Sequence, residues 1–186
     1  MPRRGILRSV ALVAILAATF VAVAWVSGLA ASTEDQSKIV STITTRLTWI
    51  QGFGGTSDGR LASDTTLEKA QAAARATLDT LYTGALLDTR VKQIDGALQE
   101  QATGDLLMFG GGVDKLEIKS VVVEGDKATV VADATTWSDL GQQKADGSVA
   151  RSRPTNSEEF TFHLVRVGTA WLIADEDLVF APGDGP

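Results

Sequence analysis

Hydrophobic positions change their spacing twice along this chain. Ser9–Ala31 is a run of 23 residues without a charge, rich in Ala, Val, Leu and Ile. Over 34–50, Ile39, Ile43, Leu47 and Ile50 recur at three- and four-residue spacing, which places them on one face of a helix. No Pro or Gly lies between Ala30 and Gln51, so this helix either continues from the apolar run as a stalk or packs on the domain. Gly52–Gly59 then breaks regular structure and reads as a flexible connector. A second helix starts near Asp64 or Thr65, where Thr65-Thr66-Leu67-Glu68 resembles a capping box, and its stripe is Leu67, Ala70, Ala74, Leu78, Leu81 and Ala85. A third covers about 89–108, with Val91, Ile94, Leu98 and Leu106 inward. Gly104 interrupts it and Gly110-Gly111-Gly112 ends it in a plain loop, since no Lys-Ser/Thr follows to make a phosphate-binding loop.

Past that point the period becomes two. Leu116–Val123 and Ala128–Trp137 read as strands joined by the tight turn Glu124-Gly125-Asp126-Lys127, and 139–157 is a polar hairpin loop carrying Arg151 and Arg153. Glu159–Val167, a turn at Gly168-Thr169, and Ala170–Phe180 close the sheet, and 182–186 is a loose tail. Helices followed by consecutive antiparallel strands predict an α+β fold, with the helices packed on one face of the sheet.

As a helix the uncharged run would span roughly 34 Å, against a hydrocarbon core of about 30 Å. Arg3, Arg4 and Arg8 precede it and Glu34 and Asp35 follow, so charge bias puts the N-terminus in the cytoplasm and the remainder outside. Trp25 sits near the outer end, where indole favours the headgroup layer. The expectation is a single-pass plasma-membrane anchor over 9–31, with an extracytoplasmic C-terminal domain. The alternative is a secretory signal cleaved near Ala30, where Gly28-Leu29-Ala30 supplies small residues. The expected division is thus flank and anchor over 1–31, stalk and glycine connector over 32–64, one domain over 65–181, and the tail.

Composition narrows the partners. Setting aside Arg3, Arg4 and Arg8 leaves 14 basic against 23 acidic residues, a net of −9. Such a surface argues against nucleic acid and anionic lipid, both of which need a basic patch. There is no cysteine, which excludes disulfides, thiolate metal sites and lipid attachment through Cys.

Two stretches carry a family resemblance: Val121-Val122-Val123-Glu124-Gly125-Asp126-Lys127-Ala128-Thr129-Val130, and Leu164-Val165-Arg166-Val167-Gly168-Thr169-Ala170-Trp171-Leu172-Ile173-Ala174-Asp175. The second resembles the recurrent ending of cystatin-like, nuclear transport factor 2-like domains: an arginine-bearing strand, a glycine turn, then Trp-x-Ile. The resemblance covers about 65–181 and implies helices wrapped by a curved sheet into a cone. An anchor before such a domain resembles the Mce-associated membrane proteins of actinobacteria, the inter-membrane-space domain of plastid-division-type proteins, and the periplasmic domain of type IV secretion assembly proteins. In all three groups the resemblance implies an interaction module of a membrane-linked assembly.

Some relatives in that superfamily are isomerases, dehydratases or hydrolases, which need a base and oxyanion donors facing one apolar cavity. The candidates here are Asp133, Tyr82 and His163. His163 lies opposite Phe160, Phe162 and Leu164 in its strand and is expected at the surface, and Asp133 fits a solvent face equally well. Asp175-Glu176-Asp177 reads as a solvated strand end, because neighbours on a strand do not converge on a cation. Trp137 and Trp171 are expected to line the core, while Trp49 lies off the Ile39–Ile50 stripe and marks a second packing face or a partner contact. Arg151 and Arg153 read as hydrated loop residues. No residue is assigned to catalysis, a cofactor or a metal. The expected function is a non-enzymatic scaffold with a protein partner in the cell envelope; the alternatives are a binder of a small apolar molecule or lipid in the cone, and an isomerase- or dehydratase-type enzyme.

Overall fold

The long strands β2 (Leu107–Glu124) and β3 (Lys127–Gln143) set the shape of the molecule. They pair antiparallel through three register shifts, at Met108/Gly110, Val113/Lys115 and Ile118/Ser120. Each shift puts one extra residue on β2, and such bulges bend a strand and increase its twist. The resulting curved sheet is an open face for helices. The computed structural model describes residues 32–104 and 106–184, together with the backbone of Val21–Val23. Among these, the sheet runs β1 (Val21–Val23), β2, β3, β5 (Thr155–Val167), β6 (Ala170–Phe180), with β4 (Val149–Ser152) also on β3. The helices α1 (Thr33–Gly52), α2 (Leu67–Leu81) and α3 (Gly84–Thr103) pack on its inner face. The fold is α+β, as the change of period predicts.

The choice between stalk and packed helix is decided for α1. Ile39, Ile43 and Leu47 are fully buried in one cluster with Leu78, Leu98, Ile118, Val130, Phe162 and Ile173. Residues 33–52 are therefore a central element of the core. Ser32 caps α1 by accepting from the Asp35 amide at 3.1 Å. The other end of α1 lies against β2 so closely that a Cβ on Gly111 would sit 1.9 Å from the Gln51 carbonyl oxygen. This explains why Gly110–Gly112, read from sequence as a loop ending a helix, continue a strand: a side chain at Gly111 would displace α1.

The connector 52–59 is likewise held. The Thr56 amide donates to the Met108 carbonyl at 3.0 Å, and the Met108 amide donates to that of Gly59 at 2.8 Å. The α2 cap is Thr66, one residue later than the capping box suggests, and accepts from the Lys69 amide, so Glu68 is not placed to reciprocate. Ala85 falls beyond α2 and is exposed, because Tyr82 and Thr83 break the helix to bridge Ile173. α3 ends at Gly104, in the left-handed conformation at φ 84°, rather than running to 108. The 139–157 segment is largely strand: β3 extends to Gln143, turns at 144–148, and pairs with β4. The tail folds back at Asp184, whose carboxylate accepts from the Ser157 amide at 2.7 Å.

The expected anchor over Ser9–Ala31 falls outside the described residues, apart from Val21–Val23. Those three are extended and pair parallel with Leu116–Ile118. Among the described residues no helix is long and apolar enough to cross a membrane.

Candidate functional site

The interior between the helices and the curved sheet holds charged groups that its apolar pattern conceals. Arg46, on the same face of α1 as Ile43 and Leu47, is 5% exposed. Its Nη2 lies 2.6 Å from Glu176 Oε1, and its Nε–H is shared between Glu176 Oε2 at 2.9 Å and the Tyr82 hydroxyl oxygen at 3.0 Å. Arg90 of α3 donates to the same Glu176 Oε1 and, through Nη1, to Gln93 at 2.6 Å. The Arg46 guanidinium also lies 5.1 Å from the Phe160 ring centre and 5.6 Å from that of Phe162, two rings stacked at 5.4 Å. Paired, bidentate and stacked on aromatic faces, the buried cation has the contacts that burial demands.

A bulge explains why Glu176 points inward. Leu164 pairs with Ile173 but His163 pairs with Asp175, so Ala174 is an extra residue on β6. Strict alternation from Trp171 and Ile173 would turn Asp175 inward and leave Glu176 outside. The extra residue reverses the phase, Glu176 pairs opposite inward-facing Phe162, and its side chain is 3% exposed. The solvated strand end expected at Asp175-Glu176-Asp177 is therefore corrected at its middle residue, while Asp175 and Asp177 are exposed.

Electrostatics lock this cluster. Burial works against the Arg46 charge, and the Tyr82 oxygen and Glu176 carboxylate more than offset it, so its pKa lies above the ordinary value. Burial pushes the Tyr82 phenol up, with Arg46 opposing and Glu176 adding. A phenol held protonated is a poor base at neutral pH, and both oxygens of the Glu176 carboxylate are taken up by guanidinium donors. What these groups do together is tie α1, the α2–α3 junction, α3 and β6 at one point. Nearby on the inner face, Glu158 accepts from Thr136 at 3.0 Å, and its pKa is raised, by burial first.

The remaining candidates do not converge with Tyr82. Asp133 is on the outer face, 2.8 Å from Lys119. His163 is exposed there, its Nδ1 3.3 Å from the Thr129 hydroxyl. Trp171 is buried, and its Nε1–H donates to Asp35 at 3.0 Å, a bond that holds the Asp35 pKa below its ordinary value. Trp49 packs against the core margin and meets Phe53 at 5.0 Å. Trp137 is not a core residue: it alternates with Asp133 and Thr135, and so lies on the outer face. Sequence reasoning missed Arg46, Arg90 and Glu176. An arginine in register with Ile39, Ile43 and Leu47 was the available signal.

At the hairpin end of the sheet, arginine meets aromatic rings again, at the surface. Arg153 lies 4.0 Å over the Trp137 ring, and Arg151 lies 4.0 Å over Phe109 while forming a bidentate pair with Asp139 at 2.6 Å. The Arg151 hydrogen bond, chiefly, draws the Asp139 carboxyl down. Arg153 has no carboxylate within 4.0 Å among the described residues. Val149 is exposed beside them, and a shallow depression of about 390 Å³ runs along Leu106, Leu140, Ala150 and Arg151.

No family model and no curated protein matches the chain. Among solved structures, a chain assigned as a calcium/calmodulin dependent protein kinase II association domain from Xanthomonas campestris aligns over 71% of this chain and 99% of its own, at 15% identity and a TM-score of 0.28, too distant to support an argument. The intermembrane space region of the chloroplast protein ARC6 aligns over 82% of this chain and 100% of its own, at 16% identity and a TM-score of 0.52. At that identity the likeness is one of fold alone, helices packed on a curved antiparallel sheet.

Proposed function

We propose that this chain is a non-enzymatic interaction module of a cell-envelope assembly, anchored through Ser9–Ala31 with its N-terminus cytoplasmic and its domain outside; in the anchored form Val21–Val23 would leave the edge of the sheet, where they pair with Leu116–Ile118. In this reading it holds a protein partner against the hairpin end of the sheet. The observation that carries it is Arg153, an exposed guanidinium stacked on Trp137 without a carboxylate of its own. Trp and Arg dominate the energetics of protein interfaces, where a desolvated ring and an available cation meet a partner's apolar and acidic groups. The inner face supports the same reading, since Tyr82 and Glu176 are bonded to each other's neighbours instead of facing an open cavity. The similarity to the intermembrane space region of ARC6, itself part of a chloroplast protein, is consistent with a domain working beside a membrane.

The test is affinity capture of the full chain from solubilised membranes, with the Trp137→Ala/Arg153→Ala variant alongside. A partner retained by the parent and lost about tenfold by the variant supports the reading. Recovery from the soluble fraction alone removes the anchor, and equal retention by both proteins removes the hairpin end as the docking face.

A further inference from the structure

A groove of about 290 Å³ runs between the end of α1, the 53–65 segment, α2 and α3. None of its fourteen lining residues is charged, although 22% of the chain is. One wall is aromatic, with Trp49 packed on Phe53 at 5.0 Å, and the α2 side is small, formed by Ala70, Ala73 and Ala74. The wall is pre-formed, because Thr56 and Gly59 are hydrogen-bonded to Met108 in β2.

Gln101 lines the same groove and is 1% exposed. Its Nε2 donates to the carbonyls of Gly54 at 2.8 Å and Gly59 at 3.0 Å. Two carbonyl acceptors fix which end of the amide is which, because a flipped side chain would face oxygen to oxygen. The Oε1 is then left with no donor. A buried acceptor without a partner is costly, on the order of 1–3 kcal/mol, and asks for an explanation.

We propose that this groove is a binding site for a small, uncharged, largely apolar molecule carrying one hydrogen-bond donor, an N–H or O–H that satisfies Gln101 Oε1. An anionic or cationic head would find no counter-charge in the walls and would lose its hydration on entry. A molecule without the donor would fill the apolar walls and leave Oε1 unpaired, so it should bind more weakly.

The chain has no cysteine, so a single Ala73→Cys substitution in the full-length protein gives one reporter thiol in the groove. Its alkylation rate is measured alone and with indole, 1-methylindole or indole-3-acetate, which share a ring system and differ in donor and charge. Indole should slow alkylation about threefold or more, 1-methylindole distinctly less, and indole-3-acetate hardly at all. Adding Ala70→Leu, which fills the groove, should abolish the indole effect while thermal melting shows the fold intact. No protection by indole, equal protection by all three compounds, or protection that survives Ala70→Leu would overturn the proposal. So would protection that rises with protein concentration without any probe, which would put a second copy in the groove. Partner capture at the hairpin end does not enter into this experiment, so the two readings fail separately.

Discussion

Arginine lies over an aromatic ring in two regions of this molecule, and the surroundings give the two contacts opposite meanings. Arg46 over Phe160 and Phe162 is buried, held by Glu176 and Tyr82, and shares its carboxylate with Arg90. Arg153 over Trp137 is exposed and retains its free donors. A buried cation must have its partners inside the protein, and once it has them it is unavailable to anything else. An exposed cation–π contact contributes only about 0.5–1 kcal/mol to the fold, yet presents a rigid ring and a charge to the outside. The inner arginine is thus part of the architecture and the outer one is the better recognition element.

The widest separation between the two should come from Glu176→Leu against Arg153→Met. Removing the carboxylate strands two guanidiniums, and breaking a buried pair in this way costs about 3–5 kcal/mol. For a domain of this size that lowers Tm by on the order of 10 °C. Arg153→Met should cost no more than about 1 kcal/mol, the worth of its exposed cation–π contact. Arg46→Met combined with Glu176→Leu should recover part of the loss, since the pair is then replaced by apolar volume. Thermal melts of the four proteins check all of this. Comparable losses from Glu176→Leu and Arg153→Met would break the distinction between the two sites.

Gly111→Ala approaches the inner site from its far side. The new methyl would overlap the Gln51 carbonyl and push the end of α1 off β2 without touching Arg46. Overpacking of this kind costs about 1–3 kcal/mol. Denaturant unfolding should show that loss, whereas Gly125→Ala, at a turn where a Cβ meets nothing, should cost only its backbone conformation at φ 63°. If the two variants are equally stable, close approach is not what fixes α1 over the sheet.

Much of the fold can be read from the chain, because it rests on local periodicity. β6 runs over Ala170–Phe180 as predicted, and Ile39, Ile43 and Leu47 do share the buried face of α1. What periodicity cannot carry is a change of phase or a contact between distant elements. The extra residue at Ala174 turns Glu176 inward, and nothing in Ala-Asp-Glu-Asp marks it. Gly110–Gly112 break every local pattern, and the reasons lie far along the chain: Gly111 meets the Gln51 carbonyl, about 60 residues earlier, and Gly112 meets the Trp137 ring on β3. The candidate residues divide in the same way. His163 and Asp133 face outward as strand alternation says, while Arg46 was legible as a charge in an apolar stripe, but its partners were not.

The smallest effect, and the one that tests the sign of the inner electrostatics, is at Glu158. Burial raises its folded pKa, with the Thr136 bond and the Arg46 charge opposing and Asp184 adding to the rise. The folded state therefore binds this proton more tightly than the unfolded chain, whose value is about 4.3. Stability contributed by this group is complete below the unfolded value and is lost as pH rises through the folded one. Glu158→Gln keeps an oxygen for the Thr136 hydroxyl and removes the titration. It should match the parent below pH about 4 and exceed its stability slightly at neutral pH. Asp35→Asn should do the reverse. The Trp171 bond depresses the Asp35 pKa, so the parent gains above the unfolded value and loses that gain as pH falls through the depressed one. Glu158→Gln should accordingly rise above the parent as pH increases beyond about 4, whereas Asp35→Asn should fall below it as pH increases up to about 4 and keep a constant deficit beyond. Divergence of Glu158→Gln in the same direction as Asp35→Asn would mean that Arg46, shared with Glu176, also compensates Glu158, and that the inner cluster extends one residue further toward the hairpin.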